Sequence, residues 1–262
     1  MTFFFDTLRL RRWVWHVQLK ALYAAAYIWR TLLVRTTFIA VTGSVGKTTT
    51  KESIAAILSA HFSTAKTLRN QNDRYGVPRT ILRVRPWHRF AVIEVATGGP
   101  GLIRRSARLL RPHVAVVLTV ARTHTNVFRT LDDTAAEKAS LLDALRPDGL
   151  AVLNADDPRV RAMSERCPCK VEMFGRSASL SLWADEISSQ WPSRLTFRAC
   201  TGSASRRIAT KLVGEHWVSS ALAALLTGLS CGVRLEDAAA ALEQVEPFAA
   251  RMQPVFLPSG AA

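Results

Sequence analysis

Residues 37–53 read TFIAVTGSVGKTTTKES. The apolar run 38–41 stops at Thr42 and gives way to Gly43, Gly46, Lys47 and three threonines, Thr48, Thr49 and Thr50. A buried strand, a glycine loop, a Lys-Thr pair and a helix, in that order, form what is needed to hold a phosphate chain. Glycines let the backbone wrap with its N–H groups inward, and the helix that begins near Lys47 adds its positive end. Lys47 would reach terminal phosphates, and the hydroxyl of Thr48 would ligate Mg²⁺. Gly43, Ser44, Val45, Gly46, Lys47, Thr48 and Thr49 are therefore the candidate nucleotide-binding set. The general pattern GxxxxGK[ST] is matched incompletely, because Val41 stands where its first glycine would fall.

Outward from this loop, apolar strands alternate with helical stretches. Residues 38–41, 90–95, 114–120 and 150–153 read as strands, and 47–61, 101–110 and 131–145 carry apolar residues at helical spacing. Strands that are apolar throughout are buried on both faces, so the alternation predicts an α/β fold with a mostly parallel sheet wrapped by helices. Residues 176–213 lose the rhythm. RLTFRAC (194–200) and RRIATKLVG (206–214) read as short strands about a turn at 201–205, a small antiparallel appendage. Residues 217–229 and 235–245 read as two closing helices.

The chain has 262 residues, 48% of them apolar, and a net charge of +15. It can build a sizeable core, and its charge favours acidic partners such as nucleotides or anionic headgroups. No RNA-binding aromatic motif or zinc-finger spacing is visible, which argues against nucleic acid. The four cysteines, Cys167, Cys169, Cys200 and Cys231, lack metal-site spacing and read as reduced thiols of a cytosolic protein. Residues 1–36 differ from the rest, being rich in Lys, Arg, Trp and Phe with one acid. They hold no apolar run long enough to span a bilayer and no signal-peptide pattern. Two readings stay open for them: a helix packed on the following domain, or a segment lying in a membrane interface on the cytoplasmic side.

Further motifs follow in order. NQNDRYGVP (70–78), FAVIEVATGGPG (90–101), LRPHVAVVLTVARTHTNVF (110–128), TAAEKASLL (134–142) and LAVLNADDP (150–158) resemble segments of the Mur ligases of peptidoglycan synthesis, as does the shorter loop Gly43-x-x-Gly46-Lys47-Thr48. The nearest pattern is the type that joins D-alanyl-D-alanine to a UDP-muramoyl-tripeptide. The likeness covers roughly residues 37–175, with a weaker tail to Arg251, and implies the family's central ATP-binding domain over 37–250.

The resemblance assigns roles that the residue types support. Glu94 ends an apolar strand, where its carboxylate would project at the sheet's ligand-binding edge and suit Mg²⁺. His124 follows the next strand and, by resemblance, ligates a second Mg²⁺. Lys138 lies in the stripe Leu131, Ala135, Lys138, Leu142, Leu145, a helix face otherwise apolar, with Thr134 and Leu142 as its i±4 neighbours. Such a lysine must find an anion or lose its charge; in Mur ligases the matching lysine often carries CO₂ as a carbamate that helps hold the second metal. Arg251 resembles an arginine that approaches the phosphates. His216 lies in GEHWVSSALAA (214–224), where Gly214 and His216 match a segment near the adenine, while Trp217 and Ser220 replace two asparagines.

The implied reaction is attack of a substrate carboxylate on the γ-phosphate of ATP. The resulting acyl phosphate is then displaced by an amine, with Lys47, Lys138, His124 and Arg251 as catalytic candidates. Only residues 1–36 precede the loop, and 251–262 form a short tail where a C-terminal domain would begin. The acid and the amine remain unidentified, and the missing domain would belong to a longer enzyme or come from a separate protein. The alternative is a non-catalytic ATP-binding module, regulatory or associated with the membrane surface.

Overall fold

The computed structural model describes residues 2–122, 127–190 and 193–247, with side chains from Trp15 onward. His124, Arg251 and the tail 251–262 lie outside the described residues. Nine strands form one sheet: β1 (Thr37–Thr42), β2 (Thr64–Lys66), β3 (Phe90–Glu94), β4 (Val114–Val117), β5 (Leu150–Asn154), β6 (Lys170–Gly175), β7 (Leu182–Ser188), β8 (Thr196–Cys200) and β9 (Ser205–Ala209). Their spatial order is β2-β3-β1-β4-β5-β6-β7-β8-β9. All pairs up to β6–β7 are parallel, and β8 and β9 close the edge antiparallel. The expected appendage is therefore an extension of the main sheet.

Helices cover both faces. α1 (Thr2–Leu32), α3 (Gly76–Arg83), α4 (Leu102–Leu110) and α5 (Leu131–Ala139) lie on one side; α2 (Lys47–Ser59), α7 (Val218–Ser230) and α8 (Leu235–Glu243) lie on the other, and the short α6 (Pro158–Ala162) follows β5. The strands feed the two layers by strict alternation. Phe38 and Ala40 of β1 join the first layer with Ile93, Val117 and Leu153, and Ile39 and Val41 join the second with Val92, Val116 and Val152. α7 is apolar all round because it packs between α2 and strands β5 to β7.

Several boundaries depart from the sequence pattern for local reasons. β4 ends at Val117 because the chain after it turns to engage the glycine loop, with Ser44 N donating to Thr119 O at 2.8 Å. The helix expected over 131–145 stops at Ala139; the Ser140 hydroxyl donates to the Glu137 carbonyl at 2.5 Å, and a 3₁₀ turn, Leu142–Ala144, follows. α3 was not legible because its first turn carries Gly76 and Pro78, which read as loop residues but are tolerated at a helix start. β2 is short and lies at the sheet's edge, and β6 and β7 are half-polar.

α1 spans about 46 Å by helical rise. Its C-terminal half packs on α3 and α4, burying Leu19 and Ala26, with Leu33 buried just past its end. The packed reading of residues 1–36 therefore holds for this half. Trp29 donates its indole N–H to the Val84 carbonyl at 2.8 Å. Arg30 is buried, donating to the Leu110 carbonyl at 2.6 Å and the Arg111 carbonyl at 2.8 Å, with its guanidinium 4.0 Å from the centre of the Phe38 ring. It thus caps the negative end of α4. Burial, with Arg111 nearby, pushes its pKa down to about 10, so it remains charged at neutral pH. No described helix is long and apolar enough to cross a membrane.

Candidate functional site

The loop 43–46 joins β1 to α2 at the carboxyl edge of the sheet. β1 and β4 are neighbours whose onward connections run to opposite sides, to β2 and to β5, and such a switch point leaves a crevice. Here the crevice is a cleft of about 890 Å³. Its floor is Ser44, Val45, Gly46, Lys47, Thr48 and Thr49; Asn72, Glu94 and Thr97 flank one end, and His216, Trp217 and Ser219 the other.

The loop is held closely. Ser44 Oγ accepts from Ala121 N at 2.9 Å, and Val45 N meets Thr119 Oγ1 at 3.4 Å. Gly46 has φ 82°, and a Cβ there would stand 2.7 Å from Ser220 Oγ. Glycine alone fits both the left-handed backbone and the approach of α7. Lys47 Nζ donates to the carbonyls of Gly43 at 2.8 Å and Ser44 at 3.1 Å, so the lysine head lies over the loop.

Behind the loop is a polar knot assembled from four segments. The Thr48 hydroxyl lies 3.2 and 3.1 Å from the two carboxylate oxygens of Glu94. Asn72 Nδ2 donates to Glu94 Oε1 at 2.7 Å, and Glu94 N donates to Thr67 Oγ1 at 3.0 Å. Lys51 is fully buried; its Nζ donates to the Thr67 carbonyl at 2.9 Å and lies 2.8 Å from Glu52 Oε1 and 3.9 Å from Glu94 Oε2. Lys51 therefore offsets the buried charge of Glu94. One side of the Glu94 carboxylate faces a helix-start hydroxyl beside the cleft, which makes an oxygen-rich set suited to a hard divalent cation.

Lys138 is also buried, but it does not line the cleft. It makes no hydrogen bond or ion pair with the described residues. Burial and then the charge of Lys47 push its pKa down to about 8, against the opposing pull of Glu137. Glu137 itself is committed elsewhere. Its carboxylate accepts from Gly101 N at 2.7 Å and Ile103 N at 2.8 Å, at the start of α4. His216 is exposed beside the buried Trp217, with ring centres 4.7 Å apart. Asn154 Nδ2 donates to Ser219 Oγ at 3.2 Å, joining the end of β5 to α7 at this end of the cleft.

Of the candidate residues, Ser44 to Thr49 of the loop set, Glu94 and His216 share one cleft; Gly43 does not line it, and Lys138 sits behind it within electrostatic reach of Lys47. Sequence reasoning missed Lys51, Asn72, Thr67 and Glu137. Lys51 had a signal, since it stands at i+4 from Lys47 and so on the same helix face. Asn72 lay inside a motif that had been singled out. Thr67 and Glu137 had none. Among the cysteines, all free, Cys167 and Cys169 bring their sulfurs to 3.5 Å, and burial together with Cys167 pushes the Cys169 pKa up to about 12.

Comparison with known proteins places this geometry. The UDP-N-acetylmuramoyl-tripeptide–D-alanyl-D-alanine ligase of Escherichia coli (strain K12) is 34% identical over 222 residues, covering 84% of this chain and 49% of that protein. The same-named ligase of Mycobacterium tuberculosis (strain ATCC 25618 / H37Rv) is 34% identical over 211 residues, covering 80% and 41%. A crystal structure of MurF from Acinetobacter baumannii superposes with a TM-score of 0.83 at 31% identity, over 87% of this chain and 50% of that one. The chain thus spans about half the length of the curated relatives it matches. The model of the Mur ligase middle domain matches residues 41–228, and with the shared sheet and glycine loop this establishes that the chain belongs to the Mur ligase family and carries its middle domain.

Proposed function

We propose that this domain binds ATP in the 43–49 loop and serves ATP-dependent joining of a carboxylate to an amine, with the amine brought by a further domain or a separate chain. The observation that carries this is the Thr48 hydroxyl seated on the Glu94 carboxylate next to Lys47, at the mouth of a cleft sized for a nucleotide. Backbone N–H groups of the loop and the start of α2 would cradle the β- and γ-phosphates, and Lys47 would leave its loop carbonyls for the terminal phosphate. Thr48 and Glu94 would hold one Mg²⁺; Lys138, with His124 by family resemblance, would serve a second. Bound there, the ion would draw charge from phosphate oxygens while a carboxylate attacks. A lysine pKa near 8 leaves a usable fraction of neutral amine, the form that takes up CO₂ as a carbamate. His216 and Trp217 would face the base. Arg251 would approach the phosphates.

Phosphate release by the purified chain, with ATP, Mg²⁺ and paired acid and amine substrates, tests the reading beside Lys47→Ala. Release that depends on both substrates and on Lys47 supports the ligase; ATP binding without such release supports the non-catalytic module instead. A second feature favours contact with a lipid surface on the cytoplasmic side. The outward face of α1 exposes Val17, Ile28 and Leu32, with Ala21 and Ala24 between them at helical spacing. Co-flotation with anionic vesicles, lost on Ile28→Glu with Leu32→Glu, would support it.

A further inference from the structure

The amino edge of the sheet, opposite the glycine loop, carries a surface of different make-up. β1 and β3 begin there side by side, with Thr37 opposite Phe90. The end of α1 leads into β1, and a turn, 85–88, leads into β3. The length of β1, about 20 Å by strand rise, separates this edge from the nucleotide cleft. The turn is closed by His88 N donating to the Arg85 carbonyl and Arg85 N donating to His88 Nδ1, both at 2.9 Å. It is fastened to α1 and the residues after it. The Trp29 indole donates to the Val84 carbonyl, and the Thr36 hydroxyl to the His88 carbonyl, both at 2.8 Å. Turn and helix end therefore form one fixed surface.

That surface exposes apolar groups the fold does not use. Two of the described tryptophans are exposed, Trp15 and Trp87. Trp15 stands edge-on to Tyr75, with ring centres 6.2 Å apart, beside a second cavity of about 590 Å³. Trp87 is 71% exposed within the turn, and its one ring contact among the described residues is with the adjacent His88. Val34, 80% exposed, lies two residues before the Thr36 that holds the turn. Leu32 and Ile28, on the outward face of α1, carry the apolar surface along the helix. The charge around these groups narrows the partner. Arg35, Arg85 and Arg89 are exposed and form no ion pair with a described acid. Arg89 reaches the Arg35 carbonyl at 3.5 Å, so the arginines on the two segments are neighbours. No acid occurs within 15–36 or 81–90. A second copy of this chain would bring the same unbalanced positive charge against it, which opposes self-association on this face. Indole, aliphatic and arginine side chains mixed without acids suit the boundary of an anionic bilayer, where the rings lie at headgroup level and the guanidinium groups meet phosphate.

We infer that the turn 85–88 anchors the domain to an anionic bilayer, with Trp87 seated among the headgroups, Arg35, Arg85 and Arg89 on their phosphates, and the nucleotide cleft turned away from the lipid. This rests on the lipid-surface reading of α1 above and adds to it the anchor and the orientation. The full chain labelled with 5-fluorotryptophan tests it with vesicles of phosphatidylcholine and phosphatidylglycerol. Co-flotation measures partitioning, and ¹⁹F NMR in bicelles of the same lipids carrying a headgroup nitroxide measures depth. The Trp87 resonance, identified by Trp87→Phe, should broaden, while that of Trp217, in the cleft, should stay sharp. Trp87→Ser should weaken partitioning about tenfold. Arg35→Gln with Arg85→Gln should weaken it about thirtyfold, roughly fivefold per charge. Both variants should keep the melting temperature of the wild type. Flotation that survives Trp87→Ser, with a sharp Trp87 resonance, would overturn the anchor and leave the α1 reading standing. Failure of the wild type to float would end both. Equal flotation with phosphatidylcholine alone would overturn the charge argument. A Trp87 resonance that shifts with protein concentration in the absence of lipid would overturn the inference in favour of a second copy on this face.

Discussion

The seam beneath α1 and the edge of the sheet behind the glycine loop both bury cations, and they treat them differently. At the seam, Arg30 donates to two carbonyls at the end of α4 and lies over Phe38. At the sheet edge, Lys51 is likewise saturated, by the Thr67 carbonyl and by Glu52 and Glu94. Lys138 is also buried and has no hydrogen-bond or ion-pair partner among the described residues. A buried charge left uncompensated is costly. Arg30 and Lys51 thus hold the frame, and Lys138 is the buried cation to which the reading proposed above gives a ligand.

The contrast can be broken by experiment. The largest effect is expected at Lys47: alanine should lower substrate-dependent phosphate release at least about a hundredfold, as loss of a preorganised cation at a reacting phosphate does, with the melting temperature nearly unchanged. A matching loss of thermal stability would show that Lys47 is part of the frame. Next is Arg30→Met, which removes two charge-assisted hydrogen bonds worth about 1.5–3 kcal/mol each before relaxation. Urea unfolding should show destabilisation of about 3 kcal/mol, with ATP affinity retained.

Lys138→Met should do the reverse. Its folded pKa, about 8, lies below the ordinary 10.5, so the native chain binds fewer protons between these values and stability rises with pH across that window. At neutral pH the native state carries the whole cost, up to about 3 kcal/mol, and methionine should relieve part of it. Activity should fall even as the melting temperature holds or rises. With ¹³C-bicarbonate, the wild type alone should give a carbamate signal.

The smallest effect concerns pH on the acid side. His113 Nδ1 accepts from Phe38 N at 2.9 Å, which requires a neutral ring edge, and burial with Arg30 and Arg146 pushes its pKa below the usual 6.5. His88 is shifted the same way by burial and Arg85. Below about pH 6.5 the unfolded chain takes up protons that the native one refuses, so stability should decline as pH falls towards the folded values. Urea midpoints from pH 5 to 8 should show that slope, and His113→Gln should flatten it.

How much of this was legible varies by residue. Phe38 to Val41 are apolar on both faces and stand before a glycine loop, which announced a central parallel strand and a phosphate-type turn. Glu94 closes the next strand that pairs with β1, so its place at the same edge also followed from the pattern. α3 was hidden by Gly76 and Pro78, and β6 and β7 by their mixed polarity. Lys51 could have been suspected from its spacing to Lys47. That Thr67 and Glu137 are buried acceptors could not, because the partners of Thr67 lie 16 and 27 residues away and those of Glu137 34 or more.

Read alone, the chain determined its alternating strands and helices, its glycine loop and the identity of the residues able to hold phosphate and metal, because these are written in local period and spacing. Only the tertiary structure decided which charges are satisfied. That α1 lends Arg30 to α4 and Trp15 to a second cavity, that Lys51 lies against Glu94, and that Lys138 is buried beneath the cleft all depend on contacts between segments far apart in sequence. Burial and pairing belong to the packed state, and no window of residues carries them.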